Sequence, residues 1–343
     1  MPRYLRNLII ALIVLAVLFG LDLVFQARVI SPYYTRILML CGISITLAVS
    51  LNLINGFTGQ FSIGHAGFMA VGAYSSAYFS VNYGVRLAES LGGGTLGWIV
   101  ALTLATLVGA LFAGIAGLLV GIPSLRLKGD YLAIVTLGFG QIIVVFLNNI
   151  EAIGGARGYS GIPIVQRFFW IFLVAVLTIV IVYNIVNSAF GRALISIRDD
   201  ELAAEAMGVH TTRYKVMAFV ISSAMAGAGG VLLAHFDGYL NPKSFEILIM
   251  IILGGLGSIV GSVIGAIVLT ILPESLRAFA EYRMVIYSLL LIILMITRPQ
   301  GLLGSTNAFK GLRKRLRRVT EGPSGTASSA TQSETSLGSE KSR

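Results

Sequence analysis

Apolar residues dominate the chain from Leu8 to Ile296 and are grouped in blocks separated by short polar segments. A transmembrane helix needs about 20 consecutive, mostly apolar residues, and most of these blocks are that long. The pattern therefore predicts an all-α, polytopic integral membrane helical bundle with about ten transmembrane helices. The predicted spans are residues 7–27, 36–56, 59–80, 95–121, 130–150, 167–188, 214–236, 244–256, 258–279 and 284–298.

Two of the predicted spans are irregular. Gly59, Gly64 and Gly67 interrupt the third span, and the span 244–256 is short and ends in a glycine-rich turn. Non-helical backbone at membrane depth is tolerated only where it is buried in protein or lines a cavity. We therefore expect one or two broken or short spans.

Composition and charge agree with a membrane protein. Hydrophobic residues make up 56% of the chain and charged residues 12%, whereas soluble domains carry about 25% charged residues. A large share of the net charge of +10 lies in Lys310, Arg313, Lys314, Arg315, Arg317 and Arg318. Such a cluster after a span indicates the cytoplasmic side or anionic lipid, and not nucleic acid. We expect cytoplasmic N- and C-termini, although the excess of inner Lys and Arg depends on the residues from Arg298 onward.

The chain is predicted to divide near residue 304. Residues 1–304 form the transmembrane domain, and residues 305–343 form a cytoplasmic tail that is first basic and then rich in Ser, Thr and Gly. Because 321–343 holds almost no apolar residues, it cannot bury enough surface to offset the entropy of ordering, and we expect disorder.

Small residues recur at four-residue spacing within three of the spans. Helices in lipid approach closely where such residues face each other, so these rows predict packing surfaces. The rows are Gly109, Ala113, Gly117 and Gly121; Ala218, Ser222, Ala226, Gly230 and Ala234; and Gly257, Gly261 and Gly265.

The sequence offers no catalytic constellation. The three histidines lie on different segments, Cys41 is the only cysteine, and there is no G-x4-G-K-[ST] phosphate loop. We therefore expect no enzyme activity, no metal site and no cofactor. Asp22 is the only acidic residue in the middle of a strong span. Since a charge is costly there, it either faces protein or water or reaches the interface from near its helix end.

Uncharged polar residues within the spans are candidates for a translocation path. They cluster around the break between the second and third spans and along the fifth span: Asn52, Asn55, Gln60, Ser62, His65, Thr136 and Gln141. Neutral polar side chains suit the passage of a small neutral or zwitterionic solute. The alternative is that they form hydrogen bonds between helices.

The loop 190–214 is the strongest functional element. Asp199 and Asp200 can cap a helix, Glu201 suits its first turn, and Gly208 suits its end. Between them, one small apolar face is formed by Leu202, Ala203, Ala206 and Met207. This pattern predicts a short amphipathic helix that docks into a groove of another protein. The alternative is a helix resting on the membrane, against which its acidic start argues.

Several segments, in order, resemble the M-type permease family of the branched-chain amino acid (leucine/isoleucine/valine) ABC importers. They cover nearly all of residues 40–304: Leu51–Gly72 (LNLINGFTGQFSIGHAGFMAVG), Leu125–Gln141 (LRLKGDYLAIVTLGFGQ), Gly154–Pro163 (GGARGYSGIP), Gly191–Lys215, Leu253–Gly265 (LGGLGSIVGSVIG) and Arg298–Gly304 (RPQGLLG).

The resemblance implies a permease subunit in the bacterial inner membrane. Its partners would be a homologous permease, two cytoplasmic ATPase subunits that bind the ATP, and an extracytoplasmic solute-binding protein. The loop 190–214 would be the ATPase-coupling loop, with the coupling residues Arg198, Asp199, Asp200, Glu201, Leu202, Ala203, Ala204, Glu205, Ala206, Met207 and Gly208. It is similar to the EAA loop of ABC importers, but Glu201 stands one place early and the downstream I-x-L-P part is missing.

The substrate implied is a branched-chain or other neutral amino acid. Related permeases carry urea or short amides, so these remain an alternative. A second alternative is a gradient-driven secondary transporter or channel, which predicts inverted repeats and a buried ionisable coupling residue. No internal repeat is found, and Asp22 is the only candidate for that residue.

Overall fold

The computed structural model describes residues 3–27, 30–92, 94–127, 129–240 and 258–276, together with Val285 and Leu289. The α-helices in these residues are α1 (Arg3–Gln26), α2 (Pro32–Asn52), α3 (His65–Phe79), α4 (Val85–Ser90), α5 (Thr95–Ser124), α6 (Asp130–Asn149), α7 (Phe168–Asn187), α8 (Ala189–Asp199), α9 (Glu201–Ala206), α10 (Thr211–Asp237) and α11 (Ile259–Ser275). Within the described part, β pairing is limited to one isolated bridge between Tyr159 and Leu240. The all-α prediction is therefore confirmed for the described residues.

Five helical stretches among the described residues are long and apolar enough to cross a bilayer. They are Pro32–Phe57, Gly97–Ser124, Tyr131–Asn149, Phe168–Asn187 and Thr211–Asp237, and two shorter apolar helices are Leu12–Gln26 and Ile259–Ser275. The predicted span 244–256 and nearly all of 284–298 lie outside the described residues, as does the tail 305–343. The count of ten spans and the cytoplasmic termini stay predictions.

The third predicted span is broken where two of its glycines stand. Helix α2 continues through a π-helical turn, Leu53–Phe57, and residues Thr58–Gly64 (the break) are not helical. Helix α3 begins only at His65 and continues through a second π-helical turn, Ser80–Gly84, into α4. Gly67 was expected to belong to the interruption, which is wrong: it lies inside α3, where it packs against Gly140 of α6.

Helix α10 lies at the centre of the bundle and packs against α2, α3 and α5. Small residues form these contacts, and Gly109, Gly117 and Gly230 of the predicted rows are among them. A Cβ on Gly72 would overlap the backbone of Gly227, and a Cβ on Gly117 would lie 2.5 Å from the side chain of Ser223. The helix backbones meet because no larger side chain separates them.

Helices α2 and α10 run in opposite directions. Ser222, in the first half of α10, donates to the carbonyl of Ser50 near the end of α2, whereas Asp237 at the end of α10 pairs with Arg36 near the start of α2. The end of α2, the break and the start of α10 therefore lie together with α8 and α9 (the α9 end). The other end of the bundle is called the far end.

Candidate functional site

The break is a compact piece of non-helical backbone. The Thr58 hydroxyl donates to the carbonyl of Leu53 (2.8 Å), and the Gln60 N–H donates to the carbonyl of Ile54 (3.1 Å). Gly59 has a φ of +71°, which glycine adopts without strain. π-Helical turns often occur at functional sites, and irregular backbone at membrane depth requires shielding from lipid. The break meets this requirement in part by burial, since Thr58, Ser62 and Gly64 are buried.

Three of the predicted path residues hold the break in place. The Asn55 amide donates to the carbonyl of Ser62 (3.2 Å) and accepts from the Ser62 N–H (3.1 Å). The next residue, Ile63, donates its N–H to the Thr136 hydroxyl on α6 (3.2 Å). Gly64 allows this contact, since a Cβ there would overlap the backbone oxygen of Thr136. The break is thus joined to both α2 and α6.

His65 and Ser50 form a buried pair beside the break. The Nε2 atom of His65 lies 2.8 Å from the Ser50 hydroxyl, and Ser222 donates to the Ser50 carbonyl. The Nδ1 atom of His65 is buried and has no hydrogen-bond partner in the described part of the chain. This nitrogen is a polar atom facing the interior of the bundle without a protein group to satisfy it.

Six of the seven predicted path residues lie together at the α2–α3 junction. Five belong to the junction itself, and Thr136 of α6 contacts it. Asn52 is buried in the last turn of α2, Gln60 is half-buried in the break, and Asn55, Ser62, His65 and Thr136 take part in the bonds above. Gln141 differs, because it lies on the exposed surface of α6 and has no bond to this cluster.

The loop 190–214 folds into two helices and not one. Helix α8 was not expected from the sequence. The Ser188 hydroxyl caps it by accepting from the Gly191 N–H (3.2 Å), and Leu194 and Ile197 bury its apolar side. This stretch was expected to be part of the loop between the predicted spans 167–188 and 214–236.

Helix α9 has the ends predicted for it. One carboxylate oxygen of Asp200 accepts from the N–H groups of Leu202 and Ala203, both at 3.0 Å. At the other end Gly208 has a φ of +85°, and its N–H donates to the carbonyl of Glu205 (2.9 Å). These caps fix a helix of only six residues, which is too short to be stable alone.

The two large apolar side chains at α9 point outward. Leu202 is 70% exposed and Met207 is 84% exposed, and Ala203 and Ala206 are exposed beside them. Ala204 is the residue that faces the protein. A compact apolar surface on the loop is therefore free of contacts within the described residues.

Two basic residues in or beside the loop 190–214 are held by contacts within the protein. Lys215 in the first turns of α10 is only 2% exposed, and its ammonium lies 2.6 Å from a carboxylate oxygen of Glu201. Arg198, at the end of α8, bonds Asp199 and also donates to the carbonyl of Gly56 (3.3 Å). Neither the Lys215–Glu201 pair nor the Arg198–Gly56 bond could be predicted from the sequence, because the two residues of each lie on different helices or far apart in the chain.

The far end is held by a second set of polar contacts. Asp22 is buried and faces protein, where it accepts from the N–H of Phe169 at the start of α7 and lies 3.6 Å from Arg167. The segment between α6 and α7 pairs with the end of α10 through the Tyr159–Leu240 bridge. Burial raises the pKa of Tyr159, so this phenol stays neutral near pH 7.

Comparisons with known proteins agree on one family. The family model described as branched-chain amino acid transport system / permease component matches residues 33–296. The chain is 37% identical over 305 residues to the high-affinity branched-chain amino acid transport system permease protein LivM of Salmonella typhimurium, covering 77% of this chain and 68% of that protein. It is 28% identical over 289 residues to the permease protein LivH of the same type of system in Escherichia coli, covering 75% and 90%.

A more distant relative is the probable branched-chain amino acid transport permease protein LivM of Methanocaldococcus jannaschii. It is 22% identical over 319 residues, covering 78% of this chain and 92% of the relative. No solved structure matches the chain. Since the family model covers most of the chain and the Salmonella protein is well above 30% identical, the chain belongs to the branched-chain amino acid transport system permease component family.

Proposed function

We propose that this chain is the permease subunit of an ATP-driven ABC importer for branched-chain amino acids in the bacterial inner membrane. Membership of the permease family carries this proposal. ATP hydrolysis takes place in partner subunits, and this chain supplies part of the path and the surface through which the partners act. The partners are a homologous permease, two cytoplasmic ATPase subunits and an extracytoplasmic solute-binding protein.

We place the path beside the break at the α2–α3 junction. The sequence from Ser50 to His65 contains no Asp, Glu, Lys or Arg, and its polar groups are amides, hydroxyls and one imidazole. A zwitterionic amino acid needs hydrogen bonds at both ends without a fixed charge that would trap one of them. The Nδ1 atom of His65, which has no partner among the described residues, supplies one such group.

We place the ATPase contact at the exposed apolar surface of Leu202, Ala203, Ala206 and Met207. Leu202 and Met207 are large, exposed apolar side chains, and they would serve as anchors in a groove of the ATPase. In this arrangement the α9 end of the bundle faces the cytoplasm and the far end faces the solute-binding protein.

The ATPase contact is tested by Leu202→Arg or Ala206→Arg. Each should abolish co-purification of the ATPase subunits while the permease still inserts and folds, because a charge in an apolar groove lacks a partner. Ser196→Arg is the matched control, since Ser196 is exposed on neighbouring α8 and outside the proposed contact. Undiminished recovery of the ATPase with both α9 variants would contradict the proposed contact.

The substrate is tested by uptake of radiolabelled leucine and of urea in a strain that lacks the gene, with and without the restored chain. ATP-dependent leucine uptake should return with the chain. Restored uptake of urea without leucine would favour the urea or short-amide alternative. Accumulation against a gradient by the purified chain alone would favour a secondary transporter.

A further inference from the structure

Arg198 joins the last turn of α8 to the backbone that leads into the break. Its Nη1 atom donates to the carbonyl of Gly56, in the π-helical turn that leads into the break (3.3 Å). Its Nε and Nη2 atoms both donate to one oxygen of Asp199, at 3.0 and 2.9 Å. The guanidinium is a rigid planar fork, so bonding two of its nitrogens to Asp199 fixes the direction of the third.

The stem of Arg198 also touches the break directly. A Cβ built on Gly59 would lie 2.7 Å from Cγ of Arg198 and 3.3 Å from its Cα atom. Gly59 has a φ of +71°, so both its conformation and its lack of a side chain permit this approach. The break is thus in van der Waals contact with the last turn of α8 as well as hydrogen-bonded to it.

Helices α8 and α9 are connected so that a displacement of α9 reaches Arg198. Only Asp200 separates the two helices, and its side chain caps α9. On α9, Glu201 holds the buried Lys215 of α10 at 2.6 Å. Because Lys215 is buried and Glu201 is mostly shielded, this ion pair constrains how α9 moves relative to α10.

We propose that Arg198 is a positioning residue that transmits the displacement of α9 to the break, through the Gly56 carbonyl and the contact with Gly59. This inference rests on the proposed function, because it takes α9 as the element that the ATPase subunits move. In this proposal Arg198 acts inside the permease and is not part of the surface that contacts the ATPase.

A geometric role predicts a particular pattern of effects. Arg198 lies at the surface, and an exposed ion pair such as Arg198–Asp199 adds little to stability. Losing the guanidinium should therefore leave folding and ATPase binding intact. The break would no longer follow α9, so hydrolysis would continue with less transport.

The test uses the complete importer, reconstituted in liposomes with its solute-binding protein, and measures leucine uptake per ATP hydrolysed. Arg198→Met keeps the stem against Gly59 but removes the donors, and should lower uptake per ATP at least about fivefold, the factor that the loss of one hydrogen bond supports. Arg198→Lys keeps a donor and should recover part of the loss. Arg192→Met is the control, because Arg192 is exposed on the same helix and, among the described residues, its side chain bonds the nearby Asn187 carbonyl.

Two results would overturn the proposal. One is unchanged uptake per ATP in Arg198→Met. The other is loss of ATPase co-purification in that variant, which would place Arg198 in the docking surface. A failure of the proposed function itself is distinguishable, because the unaltered importer would then show no ATP-dependent leucine uptake. Gly59→Ala offers an independent check and should reproduce the lowered uptake per ATP, since its Cβ displaces the same contact.

Discussion

The two ends of helix α3 carry the same pair of side chains in different settings. At the start of α3, the Ser50 hydroxyl lies 2.8 Å from Nε2 of His65, and at its far end the Ser80 hydroxyl lies 2.8 Å from Nε2 of His235. The Nδ1 atom of His235 also bonds the carbonyl of Val231, at 2.9 Å, whereas Nδ1 of His65 has no partner within the described ranges.

The backbone beside the two Ser–His pairs also differs. The π-helical turn Ser80–Gly84 passes directly into α4, whereas the turn Leu53–Phe57 is followed by the non-helical break. A buried polar atom without a partner costs about 1–3 kcal/mol. Among the described residues, the Ser50–His65 junction therefore carries a buried nitrogen without a partner, whereas both ring nitrogens of His235 at the Ser80 junction are bonded.

The largest difference should come from adding one methyl group at each junction. Gly64→Ala places a Cβ against the backbone oxygen of Thr136, so we expect the break to shift, at a cost of about 1–3 kcal/mol and with most uptake lost. Gly84→Ala is the matched variant, because its Cβ meets nothing closer than 3.5 Å and should be tolerated. Melting in detergent and leucine uptake measure both. If the two variants had equal melting temperatures and equal leucine uptake, the proposed difference between the two junctions would be contradicted.

His235→Ala should act on stability alone. It removes the bonds to Ser80 and Val231 and leaves the buried Ser80 hydroxyl without its partner, so the free energy of unfolding should fall by about 1–3 kcal/mol. Uptake per folded molecule should stay unchanged. If His235→Ala kept its melting temperature and lost transport, the proposed difference between the two ends of α3 would be contradicted.

His65→Ala should reduce transport, and it should reduce stability less than His235→Ala does. Only the bond to Ser50 is lost, so we expect a cost of about 1 kcal/mol. Uptake per folded molecule should fall about fivefold, the ratio that a free-energy difference of that size produces. A variant that transports normally would show that His65 is a packing residue.

The positions of the helices could be predicted well from the sequence. The predicted spans 130–150 and 167–188 correspond to helices Asp130–Asn149 and Phe168–Asn187, because polar residues bound each apolar block. The break was expected from Gly59 and Gly64. Local composition decides both features, so no knowledge of distant contacts was needed.

The connections between segments could not be predicted. Lys215, at the start of the predicted span 214–236, is buried against Glu201, and no local pattern indicates that pair. The bond from Arg198 to Gly56 joins residues 142 positions apart, and nothing in either local sequence indicates it. Which polar residues face each other depends on how the helices cross. The rows of small residues predict the packing face of a helix but not the helix that packs against it.

The central claim is that the break changes its environment when ATP is bound and hydrolysed, whereas the far end of α3 does not. Gln60→Cys and Asn82→Cys, each combined with Cys41→Ala in the complete importer, place one thiol in the break and one in the far π-helical turn. Labelling by a water-soluble thiol reagent is compared without nucleotide and with ATP and vanadate. The rate at position 60 should change with nucleotide and the rate at position 82 should not; a nucleotide-independent rate at position 60 would contradict the account.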